Sequence, residues 1–232
     1  MEDDLPPDAP ELPSPVSNPR PGFRVFGGLR THPDATELAT EAHRSVVRYA
    51  AEVVAAFRLC PFLKGVDSGL GAVGVVLEVE PSVDTALAAM KSLGEPIVHL
   101  VYPVFQGSSS AFERFGSKLA EAVRRALPEP LVHASFHPEM VGGRENAYRL
   151  IGLLRQSPDP FVQFIPHGLQ QGGTVLAGED VPEKSHAEDR FARLMANDAA
   201  VAVEILERLD ALKRERSARY AELVRRVAAN ER

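Results

Sequence analysis

The only cysteine in the chain, Cys60, stands in the stretch FRLCPFLKG, residues 57–65, where an amphipathic helix must end. A thiolate is a nucleophile and a soft metal ligand, and it is favoured at a helix N-terminus or beside a cation. Cys60 instead comes after a helix, and the negative end of the backbone dipole disfavours a thiolate there. A neighbouring His or Arg would have to offset that. Free cysteine is also among the most buried residue types. Two readings stay open: a nucleophile or ligand in a pocket, or a small apolar residue of the core.

The next candidates lie in HASFHPE, residues 133–139. On a helix, His133 and His137 would share a face as two metal ligands. The apolar and aromatic content argues for a strand, along which four residues span about 13 Å, too far for both rings to grip one ion. His137 and Glu139 are better placed. They fall at the strand end, on the same side, with His137 as a base and Glu139 as its orienter. The stretch RQSPDP, residues 155–160, adds Arg155, a fork suited to a carboxylate or phosphate, and the hydroxyl of Ser157 beside a rigid turn. HGLQQGG, residues 167–173, lacks the Lys-Ser/Thr end of a P-loop, and its glycine spacing does not fit a dinucleotide fingerprint. No Gly-x-Ser-x-Gly elbow and no cysteine pair occurs. Nothing specifies a cofactor, and no residue set is assigned to a metal.

Taken together, LCPF after a helix, SFHPE after a strand and then RQSPDP resemble the bacterial family called domain of unknown function fourteen-fifteen. The resemblance runs from about Ala50 to Ile165. It differs in the third piece, where Gln156 stands in place of the family's usual Arg and Gln163 in place of its usual His. The resemblance implies a bacterial protein in which Cys60, Pro61, His137, Pro138, Ser157 and Pro158 belong to one constellation. It carries no reaction.

The elements that must position these residues can be read from periodicity. Residues 1–33 hold eight prolines and early acidic residues, which predicts a disordered tail, with GFRVFGG as a brief extended piece. Asp34 with Glu37 reads as a capping box. Ala39, Ala42, Val46, Tyr49, Ala50, Val53 and Phe57 then form one apolar helical stripe, ended by the proline after Cys60. Strands are expected at Ala72–Glu80, Ile97–Phe105, Leu131–Phe136 and Phe161–Ile165. Helices are expected after Ser82, after a Ser110–Glu113 capping box, and over RENAYRLIGLLRQ. A long loop precedes a long C-terminal helix from about Ala187 to Ala228. Its apolar stripe runs through Phe191, Leu194, Met195, Ala202, Ile205, Leu209 and Leu212, and its outer face carries four acid-first i,i+4 pairs. Beyond Leu212 the surface turns polar, so the last turns are expected exposed.

These elements predict an α/β or α+β fold: a small three- to four-stranded mixed sheet covered by helices, in a single domain spanning 34–232. The 232 residues are 44% hydrophobic, enough for a sizeable core. A net charge of -6 and the absence of Trp argue against a nucleic-acid surface. No apolar run approaches the roughly 20 residues that cross a bilayer, and the acidic, proline-rich start is unlike a signal peptide, so a cytoplasmic protein is expected. The leading expectation is a small enzyme of undefined reaction acting on a small-molecule ligand. Its pocket would hold Cys60, His137 and Glu139, with Arg155 and Ser157 as substrate contacts. The alternative is a non-enzymatic interaction protein using its C-terminal helix, through which a homo-oligomer would also form.

Overall fold

The computed structural model describes residues 22–57, 59, 70–143, 147–167, 200–215 and 218–229. In chain order these give β1 (Phe23–Phe26), α1 (Ala35–Tyr49), β2 (Ala72–Val76), α2 (Val83–Leu93), β3 (Val98–Val101), α3 (Ser109–Ala126), β4 (Leu131–Phe136), α4 (Ala147–Leu154), β5 (Phe161–Pro166), α5 (Ala200–Arg214) and α6 (Ala218–Ala228). A 3-10 turn, Gly28–Thr31, links β1 to α1, and a π-helical turn, Ala50–Ala55, prolongs α1.

The five strands form one sheet in the order β1-β2-β3-β5-β4. β1, β2 and β3 pair in parallel, and β5 runs antiparallel to both its neighbours. Four strands therefore point the same way, and their C-terminal ends share one edge with the start of β5. Ligands tend to approach such an edge.

The fold is mixed α/β with five strands, more than the three or four expected. The added strand is β1, whose four residues pair with Val73–Val76 of β2. The expected 1–33 tail therefore gives way at Gly22 to the sheet and a turn that buries Leu29. β4 has its expected bounds, whereas β2 and β3 stop earlier, at Val76 and Val101. The Ser82 hydroxyl accepts from the Thr85 amide at the start of α2, and Gly94 closes that helix in the left-handed region, φ 65°. α3 is capped by Ser108, which accepts from Ala111, rather than by the expected Ser110.

Alternation along the strands divides the core in two. On one face Val73, Val75, Leu77, Val101 and Phe161 pack with the buried stripes of α1, α5 and α6. On the other, Val76, Leu100, Tyr102, Val162 and Phe164 pack under α2 and α3. The α1 stripe is the expected one, with Ala39, Ala42, Val46, Tyr49, Ala50 and Val53 all buried.

The C-terminal region departs most from expectation. Residues 187–199, with Phe191, Leu194 and Met195, lie outside the described residues. From Ala200 onward the chain forms two helices rather than one, α5 and α6. Beyond Leu212 one side of the chain turns inward: Tyr220, Leu223 and Val227 face the core, while Arg219, Arg225 and Arg226 are exposed as expected. The charges of this region pair largely with α1 and its extension. Arg226 meets Asp34 at 3.0 Å, Arg219 meets Glu37 at 2.5 Å, Glu215 meets Arg48 at 2.7 Å and Arg208 meets Glu52 at 4.0 Å. The order of the partners reverses, so α5 and α6 run antiparallel to α1. Each exposed pair is worth about 0–1 kcal/mol, so the ladder sets register more than stability. It also takes Asp34 away from the expected capping box, and Asp34 makes no side-chain cap. Among the described residues, no helix is long and apolar enough to cross a membrane.

Candidate functional site

At the C-terminal edge of β4 the chain turns through His137–Met140, closed by the Met140 amide donating to the His137 carbonyl at 3.0 Å. The His137 side chain fastens this turn. Its Nδ1 accepts from the Glu139 amide at 3.1 Å. An acceptor there requires the lone pair on Nδ1, so the proton of the neutral ring is on Nε2 and is donated to the Gly107 carbonyl at 3.1 Å. The ring is buried, edge-on to Phe105 and tilted against Phe112. Burial moves its pKa below the ordinary value, and the Gly107 carbonyl, Glu139 and Glu113 oppose that only in part. Glu139 orients the ring through its backbone amide. Its exposed carboxylate acts on the ring through its field.

The turn is joined to the second sequence motif. The His137 amide donates to the Arg155 carbonyl at 3.1 Å, and the Gln156 side-chain nitrogen donates to the Met140 carbonyl at 3.0 Å. From the other side, the Tyr49 hydroxyl near the end of α1 donates to the Leu154 carbonyl at 2.7 Å. Two other pieces of the chain, the His137–Met140 turn and the end of α1, thus meet the short segment 154–156. The positive charge of Arg155 is felt at Tyr49 and His133. Tyr49 itself is pushed well above its usual pKa by burial, with Arg155 opposing.

Ser157 is placed differently from its expected role as a substrate contact. It is fully buried, and its hydroxyl donates to the Asp159 carbonyl at 2.5 Å, so it holds the turn into β5. Two residues given no role by the sequence motifs also belong here, Asp159 within RQSPDP and Lys213 of α5. Asp159 is fully buried and accepts from the Tyr220 hydroxyl of α6 at 2.7 Å. Lys213 donates from α5 to the Gln156 side-chain oxygen at 3.1 Å. Burial lowers the Lys213 pKa, while Asp210 and Glu139 raise it. These partners are 57 and 61 residues apart in sequence, beyond the reach of local pattern.

Gln163 of β5 meets an imidazole across the sheet. Its side-chain nitrogen lies 3.0 Å from Nε2 of His99 on β3. Burial pulls His99 down to about 4, and the Leu70 backbone offsets part of this. The ring is therefore neutral near pH 7, and Nε2 accepts from Gln163.

The structure thus brings His137, Glu139, Arg155 and Ser157 to one edge. Cys60 and Pro61 lie outside the described residues. Leu59, the residue before Cys60, packs in the core on the α1 face, whereas the His137 ring contacts Phe105 and Phe112 of the α2 and α3 face. Among the described residues, no three His, Cys, Asp or Glu side chains are grouped to share a metal ion. Compared with known proteins, the chain matches no family model, no curated protein and no solved structure.

Proposed function

We propose that the chain is a small thiol-dependent enzyme acting on an anionic small molecule at the C-terminal edge of the sheet. The observation that carries this reading is the convergence of the α1 end, the His137–Met140 turn and the 154–156 segment through three hydrogen bonds to backbone carbonyls. Convergence of polar loops at a strand-end edge is the usual setting of a site in such sheets. In this reading Cys60 is the nucleophile, Arg155 anchors the anion, and Ser157 fixes the turn into β5 that follows Arg155. His137 acts as a positioning residue, because taking a proton from a thiol would require Nδ1 to leave the Glu139 amide. The rival reading, an interaction protein docking through the C-terminal helix, loses support in the described part of that stripe. Ile205, Leu209 and Leu212 are buried within the fold.

A single cysteine makes the test direct. A thiol reagent added to the folded protein should modify Cys60, and inorganic phosphate should slow that modification. Arg155→Gln should remove the protection. Modification that occurs only after unfolding refutes the nucleophile. Protection by phosphate that survives Arg155→Gln refutes the anchor.

A further inference from the structure

The two ring nitrogens of His137 are committed in opposite senses, whatever the chemistry at Cys60. Nε2 is the donor to Gly107, and Nδ1 must keep a lone pair for the Glu139 amide. A second proton can go only on Nδ1, where it would face an N–H donor. We infer that the His137–Met140 turn is an acid-sensitive latch. Protonation of the ring expels the Glu139 amide, opens the turn and unfastens the Arg155–Gln156 segment bound to it.

The links are consecutive. The turn contributes the His137 amide held by the Arg155 carbonyl and the Met140 carbonyl that receives Gln156. Both lie within the four residues that the ring organises. The charged groups facing the ring are Glu139 from its own turn and Glu113 from α3, both of which favour the protonated form. Arg155 contributes its backbone to the turn, and Phe105, Gly107 and Phe112 contribute no titrating group. Burial outweighs the two carboxylates, so the ring charges below its ordinary pKa and the latch is closed at neutral pH.

The test is a pH titration of the whole protein by NMR, tracking the His137 ring and the backbone amides of His137, Glu139 and Leu100. The Glu139 amide should shift, and its exchange should rise about tenfold over the intrinsic change, in step with ring protonation. Leu100, in the middle of the sheet, should keep its protection. In His137→Asn the side-chain oxygen can accept from the amide two residues on without titrating, so the response should vanish. The latch is refuted if the ring protonates with the Glu139 amide unmoved. It is equally refuted if the Asn variant responds at the same pH, or if Leu100 loses protection before the ring charges. The wild-type titration decides the matter alone should the variant fail to fold.

Discussion

Replacing Tyr220 by Phe removes one oxygen and leaves the ring of α6 in place. That oxygen donates to Oδ1 of Asp159 at 2.7 Å, and both residues are buried, Asp159 completely. Removing one partner of a buried hydrogen bond costs about 1–3 kcal/mol, and water does not reach this site to replace it. Phe keeps the apolar burial, so no cavity cost is added. The expected loss is about 1–3 kcal/mol, and at about 2–4 °C per kcal/mol for a fold of this size the Tm should fall by about 2–12 °C. Urea unfolding is the assay. The midpoint should fall with the slope unchanged, because the surface exposed on unfolding is the same. A cycle with Asp159→Asn should show coupling above about 1 kcal/mol, since the two side chains touch. A loss below about 0.5 kcal/mol, within the range of ordinary surface substitutions, would refute the buried contact.

Two further substitutions test the packing of the second face. A Cβ on Gly116 of α3 would overlap the Ser135 hydroxyl of β4 but stand 3.6 Å from the Ser135 Cβ. Gly116→Ala should therefore cost about 1–3 kcal/mol by overpacking, and adding Ser135→Ala should restore most of it; equal destabilisation of the single and double variants in urea would refute the contact. The Tyr102 hydroxyl is buried and has no hydrogen-bond partner among the described residues, so Tyr102→Phe should leave the Tm unchanged or raise it, and a loss above about 1 kcal/mol in urea unfolding would reveal a donor role.

Elements whose determinants are local could be read from the sequence, and those defined by distant partners could not. LVHASF announces β4 to the residue, and Ser82 and Gly94 bracket α2, because caps and β-branched runs act within a few positions. FRVF is too short to declare itself, and it becomes a strand through its register with Val73–Val76. The last turns of the chain mislead for an electrostatic reason. Arg219 and Arg226 make α6 look solvent-facing, yet they reach across to Glu37 and Asp34 while Tyr220, Leu223 and Val227, at three- and four-residue steps, turn inward. That spacing is present in the sequence and is outweighed there by the charges around it.

The candidate site divides in the same way. His137 at a strand end is a local observation, but the meaning of its ring depends on Gly107, thirty residues earlier, whose carbonyl makes Nε2 a donor and thereby leaves Nδ1 to the turn. Asp159 between two prolines reads as a turn former, and only Tyr220 shows it to be a buried anchor for α6. His137 and the segment around Arg155 are therefore held in part by groups outside their own motifs. Tyr49, Lys213 and Tyr220, one from each helix of the α1, α5 and α6 layer, converge on segment 154–159. A substitution in that helical layer should move Arg155 as surely as one in the motif itself. Thiol reactivity and the His137 titration are accordingly best read against variants of Tyr220 as well as of the motif residues.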